Sequence, residues 1–198
     1  MNFLAHAYLS YHQPSITIGN MIADFVKGKH WQDYDTGLQQ GIRLHRLIDS
    51  FTDTHPVTLE AKRFFQPGCG KYSAVFIDIV YDHFLANDTT RFPGNTLAAF
   101  AQEVYTTLKE RYYLLPIGFQ EVFRYMSEQN WLLGYQHKDG IYKTFSGIVR
   151  RSRYLEVTAD VPFAALEANY DALAASYQTF FPDLVTFVQN VPPAPTSV

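Results

Sequence analysis

The segment GIRLHRLIDSFTDTHP, residues 41–56, carries the pattern that decides the fold class. Its apolar residues recur at the period of an α-helix, and the pattern predicts a helix over residues 37–53 with one wide apolar face. That face is formed by Leu44, Leu47, Ile48 and Phe51. His45 and Asp49 lie one helical turn apart on this face, where burial would remove titratable groups from water. The segment therefore predicts a core helix that carries two titratable side chains, His45 and Asp49, on its buried face.

Helical patterns extend over most of the remaining chain and predict an all-α fold. We expect Asn2 to cap a first helix through about Ser10, and Pro14 to begin a second helix that runs past Asp24. A buried helix is expected to end near Asn87, and further helices are expected over 94–111, 117–131, 139–155 and 162–180. No pair of apolar runs is joined by a hairpin turn. We expect one domain over residues 1–190 and a proline-rich, disordered tail over 191–198.

Composition limits the classes of protein and partner. Of the 198 residues, 47% are hydrophobic, which excludes an intrinsically disordered chain. The net charge of -3 favours neither nucleic acid nor an acidic membrane surface as a partner. No apolar run approaches the roughly 18 residues of a membrane span. The single cysteine, Cys69, excludes an internal disulfide, and we expect a cytoplasmic protein without a targeting segment.

Acidic residues recur inside other apolar helices. Asp78 and Asp82 repeat the one-turn spacing in FIDIVYDHFLA, His83 follows directly, and Asp24 lies within GNMIADFVKG. Several buried carboxylates repel one another unless a cation or a hydrogen-bond network compensates for their charge. Imidazole and carboxylate groups without a thiolate cluster suit a divalent ion such as Mn²⁺, Mg²⁺, Fe²⁺ or Zn²⁺. The pattern therefore favours a metal site between helices.

Each of these residues also has a structural explanation. His45 can simply pair with Asp49, and Arg43 or Arg46 can neutralise the acids of neighbouring turns. Adjacent residues such as Asp82 and His83 point about 100° apart on a helix, which is wide for a single ligand face. The metal interpretation is favoured because three helices carry more acids than nearby bases.

Four segments resemble, block by block and in order, the acyl carrier protein phosphodiesterases. They are MNFLAHAYLS (1–10), GNMIADFVKG (19–28), GIRLHRLIDSFTDTHP (41–56) and YSAVFIDIVYDHFLA (72–86). The resemblance implies an atypical branch of the HD phosphohydrolases, which are all-helical enzymes that hold a metal with histidines and aspartates. It also implies hydrolysis of the phosphodiester that joins 4′-phosphopantetheine to a serine of acyl carrier protein, commonly with Mn²⁺. The Asp82-His83 order reverses the His-Asp pair for which HD enzymes are named.

The resemblance also implies roles for individual residues. The proposed metal ligands are His45, Asp49, Asp82, His83 and Asp24, of which Asp24 is either a ligand or the group that orients the attacking water. Asp24, His45 and Asp49 are the proposed catalytic residues. The residues proposed to support the ligands are His6, Asn20 and Asp78. His6 is alternatively a core hydrogen-bonding residue, and Asn20 binds a phosphate oxygen or caps a helix.

The implied partner is acyl carrier protein, which is acidic and needs a basic surface on its enzyme. The segment KTFSGIVRRSRYLE offers four cations, with Glu156 as its one acid. These cations are Lys143, Arg150, Arg151 and Arg153. Lys27 and Lys29 lie just beyond Asp24 and are expected near the mouth of the site. The alternative is that these charges form an ordinary solvated surface.

Two other functions remain open at this point. The chain is alternatively an HD-type phosphohydrolase of a nucleotide or another small phosphoester, in which case the basic segment is incidental. A non-catalytic helical binding module is the other alternative, and it would hold no stoichiometric metal ion.

Overall fold

The computed structural model describes residues 1–191, and within this range the chain is α-helical without strands, which confirms the all-α class. The HD-domain subtype stays a prediction. The predicted tail over 191–198 falls almost entirely outside the described residues. The helices are α1 (Phe3–Tyr8), α2 (Pro14–Ile22), α3 (Thr36–Thr54), α4 (Pro56–Lys62), α5 (Gln66–Cys69), α6 (Ser73–Ala86), α7 (Thr96–Glu110), α8 (Ile117–Glu128), α9 (Trp131–Gly134), α10 (Lys138–Arg151), α11 (Asp160–Ala168) and α12 (Tyr170–Gln189).

The central helix is α6, and most of its side chains are apolar and buried, with Val75 exposed near its start. Phe76 packs edge-on against Phe145 of α10, with ring centroids 4.9 Å apart. Tyr81 stacks on Phe180 of α12 at 4.9 Å. A third side of α6 meets α1. Because α6 is enclosed in this way, each of its polar side chains must find a partner inside the protein.

The first helix begins at two capping groups. The side chain of Asn2 accepts a hydrogen bond from the backbone N–H of Phe3 at 2.9 Å, which confirms the predicted cap. The buried carboxylate of Asp82 accepts from the N–H groups of Leu4 at 2.7 Å and Ala5 at 3.2 Å. These N–H groups have no partner within their own helix. The Asp82 cap therefore ties the start of α1 to α6 and fixes the position of the residues that follow.

Helices α2 and α3 cross at two glycines, Gly19 and Gly41. A Cβ atom on Gly19 would overlap the carbonyl oxygen of Leu38, and one on Gly41 would overlap the carbonyl oxygen of Ile16. The two backbones therefore touch without intervening side chains. This close approach brings the backbone of Asn20 to α3.

Two predicted helix boundaries are wrong. Helix α2 ends at Ile22, and Asp24 lies on a 3-10 turn over Ala23–Phe25 instead of inside a longer helix. The helix predicted over 162–180 is two helices, α11 and α12, separated at Asn169, whose φ of -124° and ψ of 21° leave the helical region. Its side chain donates to the carbonyl of Ala165 at 2.8 Å, which satisfies the end of α11.

Within residues 1–191, none of the helices combines the length and apolar character needed to cross a bilayer.

Candidate metal centre

His6 of α1 and His45 and Asp49 of α3 meet in one pocket. Each residue offers a ligand atom, and the three atoms lie within 4.8 Å of one another. Asp49 Oδ1 is 3.2 Å from His6 Nε2, and Asp49 Oδ2 is 3.1 Å from His45 Nε2. The two imidazole rings stack with centroids 4.0 Å apart. The one-turn spacing of His45 and Asp49 therefore predicted a real contact, to which α1 adds a second histidine.

Asp24 reaches the same pocket from the turn after α2. Its Oδ1 lies 3.2 Å from His45 Nε2, while most of its side chain remains exposed. The hydrogen bond with His45 lowers the pKa of Asp24 below its ordinary value. Asp24 is therefore an ionised carboxylate between the buried histidines and solvent, at the side from which a substrate can approach.

The two histidines differ in charge although their rings are stacked. Burial and the neighbouring charge of His45 lower the pKa of His6 to about 4, so His6 is neutral near pH 7. Burial opposes charge at His45 as well, but hydrogen bonds to Asp24 and Asp49 raise its pKa to about 9. Burial alone would raise the pKa of Asp49, yet the hydrogen bond from His45 and the nearby positive charge of the Met1 amine hold it well below its ordinary range. The pocket therefore contains one imidazolium, one neutral imidazole and two carboxylates.

The α-amino group of Met1 enters this pocket from the other side. Its nitrogen lies 3.4 Å from Asp49 Oδ1 and 3.2 Å from Asp78 Oδ1. Although burial opposes the charge, the neighbouring carboxylates of Asp78 and Asp49 raise the pKa of the amine. Asp78, which was expected to hold a ligand histidine, instead contacts this amine. The Met1 amine thus lies between Asp49 and Asp78, next to the cluster of His6, His45 and Asp49.

The cluster fits a divalent cation on the evidence of one unpartnered atom. Nε2 of His6 is buried and has no hydrogen-bond partner among residues 1–191, although Asp49 Oδ1 is close to it. A buried polar atom without a partner is costly, and two facing lone pairs repel each other. A cation between them would satisfy both, and imidazole nitrogen with carboxylate oxygen is a donor set that divalent metals accept. His6, His45 and Asp49, with Asp24 beside them, are the residues that would hold it.

The structure does not bring Asp82 and His83 to this cluster. Both carboxylate oxygens of Asp82 accept the backbone N–H groups at the start of α1. Nδ1 of His83 donates to the carbonyl of Tyr135 at 2.7 Å, and its Nε2 accepts from the hydroxyl of Tyr170 at 2.8 Å. Because the two residues point to different sides of α6, each meets a different neighbouring element. We therefore leave both out of the proposed ligand set.

Sequence reasoning placed His6 outside the ligands, whereas its ring lies in the cluster. Asn20, given a supporting role, contacts both histidines: its Oδ1 is 2.8 Å from His6 Nδ1, and its backbone carbonyl is 2.8 Å from His45 Nδ1. The Met1 amine was missed altogether. The available signals were a histidine on the first apolar helix and the small residues Gly19 and Gly41, which allow α2 and α3 to touch.

The fold and the pocket together define an all-α protein with a histidine–aspartate centre formed by α1, α3 and the turn after α2. The chain belongs to the acyl carrier protein phosphodiesterase family, whose sequence profile matches residues 1–184.

Relatives named acyl carrier protein phosphodiesterase resemble it over nearly their full length. The Photorhabdus laumondii protein is 32% identical over 96% of this chain and 96% of its own. The Yersinia pestis protein is 32% identical over 96% of this chain and 98% of its own. The Escherichia coli K12 protein is 31% identical over 93% of this chain and 96% of its own. None of the solved structures matches the chain.

Proposed function

We propose that this protein hydrolyses the phosphodiester between 4′-phosphopantetheine and a serine of holo-acyl carrier protein, releasing apo-acyl carrier protein. Family membership over residues 1–184 is the observation that carries the proposal. The pocket gives it chemical support, because histidine and aspartate side chains converge there beside an exposed carboxylate. Acyl carrier protein as the substrate also leads us to propose a cytoplasmic location.

We further propose that the reaction depends on a divalent metal held by His6, His45 and Asp49, with Mn²⁺ first and Mg²⁺ or Fe²⁺ as alternatives. Such an ion, when bound, stabilises charge on phosphate oxygens and lowers the pKa of water. Asp24 is the exposed carboxylate of the pocket, so it is positioned either to complete the ligand set or to accept a proton from the attacking water. Asp49 presents one oxygen to each histidine, near His6 Nε2 and His45 Nε2.

The direct test incubates holo-acyl carrier protein with the purified protein and Mn²⁺ and follows the carrier by mass spectrometry. We expect a mass decrease equal to the prosthetic group, and we expect EDTA to prevent it. A small generic phosphodiester serves as the comparison substrate and should react far more slowly. Unchanged carrier mass in the presence of each of the three metals would contradict the proposed function.

Metal affinity is expected to rise with pH up to about pH 9. The pKa of His45 is raised to about 9 because its Nε2 proton lies between Asp24 and Asp49. A metal must displace this proton, so each pH unit below 9 should weaken binding about tenfold. In the metal-free protein, protonated His45 makes its full contribution to the free energy of unfolding below pH 6.5. That contribution is lost as pH rises through 9.

Calorimetric titration with Mn²⁺ between pH 6.5 and 8.5 measures this dependence. Repeating the titration in buffers of different ionisation enthalpy counts the protons released, and we expect about one per ion. An affinity that stays constant across this pH range would show that His45 is not a ligand.

For the carrier protein we propose a docking surface on α10 and the segment after it. Lys143, Arg150, Arg151 and Arg153 are all exposed there, and none of them forms an ion pair with another described residue. Helix α10 packs on α6 through Phe145 and Phe76, about 200° around α6 from Asp78. This surface is proposed to contact the carrier protein away from its modified serine, while Lys27 and Lys29, exposed beyond Asp24, are proposed to contact the carrier beside the phosphodiester.

The Arg150→Ala/Arg151→Ala variant is expected to raise KM for holo-acyl carrier protein about five- to tenfold and leave kcat nearly unchanged. The reason is that exposed charge contacts contribute about 0.5–0.7 kcal/mol each to encounter and binding. The effect should shrink as salt is added. Lys109→Ala/Arg124→Ala, which removes two exposed cations from α7 and α8, is the matched control. Equal KM values for the two variants would exclude α10 as the docking surface.

A further inference from the structure

The side-chain amide of Asn20 is buried completely, and its orientation is fixed by its partners. Its Nδ2 is 2.8 Å from the backbone carbonyl oxygen of His6 and 3.1 Å from Ser10 Oγ. A backbone carbonyl can only accept a hydrogen bond, so the amide NH₂ must face it. The hydroxyl of Ser10 itself donates to the same carbonyl at 2.8 Å and is free to accept from Asn20.

This orientation determines which nitrogen of His6 carries a proton. With its NH₂ group turned to the carbonyl, Asn20 presents Oδ1 to His6 Nδ1 at 2.8 Å. An amide oxygen can only accept, so His6 Nδ1 must be the donor. In the neutral imidazole the other nitrogen, Nε2, is then without a proton. Its lone pair faces the pocket beside Asp49.

The second histidine is held by the same residue through a different group. The backbone carbonyl of Asn20 accepts from His45 Nδ1 at 2.8 Å. Substituting the side chain of Asn20 removes the partner of His6 Nδ1 and leaves that of His45 in place. His45 is thus an internal reference for any experiment on His6.

We propose that Asn20 is a positioning residue that keeps Nε2 of His6 free of a proton and directed at the metal ion. This role rests on the proposed metal-dependent function, because a lone pair directed at the pocket matters only where a metal binds. The tautomer itself is expected in the metal-free protein as well. Without the amide, His6 gains by moving its proton to Nε2, because Asp49 Oδ1 lies 3.2 Å away and accepts it. That tautomer has no lone pair for a metal at this position.

Two-bond proton–nitrogen correlation spectra of metal-free, ¹⁵N-histidine-labelled protein read the tautomer of each ring directly. In the unmodified protein we expect His6 with the proton on Nδ1. In Asn20→Ala we expect it on Nε2, with the Nδ1 proton of His45 unchanged. The matched control is Ser10→Ala, which removes a buried partner of Asn20 while leaving Oδ1 against His6, and its His6 tautomer should stay as in the unmodified protein.

Calorimetric Mn²⁺ binding is the second readout. Asn20→Ala should bind about ten- to a hundredfold more weakly than Ser10→Ala, the range found for residues that orient a ligand histidine. Asn20→Leu fills the same space without an acceptor and should also place the His6 proton on Nε2, which tests the proposal if Asn20→Ala fails to fold. An Nε2 proton on His6 in the unmodified protein, or equal Mn²⁺ affinity of the Ala variants, would overturn it. Failure to hydrolyse the carrier protein with these results intact would reject the proposed substrate alone.

Discussion

Asp49→Asn is expected to reduce the rate of holo-acyl carrier protein hydrolysis at least about a hundredfold, or about 2.7 kcal/mol of transition-state stabilisation. Asp49 is the residue that joins the centre: one oxygen lies 3.2 Å from His6 Nε2 and the other 3.1 Å from His45 Nε2. An amide in its place removes a negative charge and turns an N–H group toward one of the two histidines. Weaker Mn²⁺ binding should accompany the loss of rate.

The matched control is Asp53→Asn, one helical turn further along α3. Asp53 is exposed and pairs with Lys62 at 2.8 Å, outside the pocket. Exposed ion pairs contribute little to stability, so this variant should keep its activity within about twofold. Circular dichroism and thermal unfolding would establish that both variants are folded. A folded Asp49→Asn protein as active as Asp53→Asn would remove Asp49 from the site.

Gly41→Ala is expected to have the largest effect on stability, a loss of about 3 kcal/mol in the free energy of unfolding. The added methyl group would overlap the carbonyl oxygen of Ile16 and lie 2.8 Å from the backbone N of Asn20. Backbone atoms at a helix crossing cannot turn aside as a side chain can, so α2 and α3 must separate. Since His45 bonds to the carbonyl of Asn20, the separation should also weaken Mn²⁺ binding.

Urea unfolding of metal-free protein measures the change. The control is Gly134→Ala in α9, where an added Cβ has open space around it. Alanine is the better helix former, so this control should unfold at the same or a slightly higher urea concentration. Coinciding midpoints for Gly41→Ala and the unmodified protein would contradict the proposed close contact of the two helices.

Local signals in the sequence were sufficient for the helices and for contacts within one helix. The apolar period located α3, the Asn2 cap located the start of α1, and the one-turn spacing placed His45 beside Asp49. These features depend on neighbours in sequence, so a single sequence contains them. The break at Asn169 was missed because its capping bond is a detail that periodicity does not encode.

Contacts between helices were harder to predict. Asp82 and His83 share a helix with Asp78, but which side of α6 meets which neighbour depends on the packing of the whole chain. Asp82 faces α1 and His83 faces Tyr135 and Tyr170, so neither meets His6, His45 and Asp49 as the sequence had led us to expect. His6 shows the opposite case, because only the docking of α1 onto α3 brings it to Asp49.

The buried Met1 amine has a practical consequence for producing the protein. A purification tag fused ahead of Met1 would convert a cation held between two carboxylates into a neutral amide and would have to pass through the packed pocket wall. A retained formyl group or an acetyl group would likewise abolish the charge. Recombinant material for the measurements above should therefore carry its tag at the opposite terminus, with the amino end left unblocked.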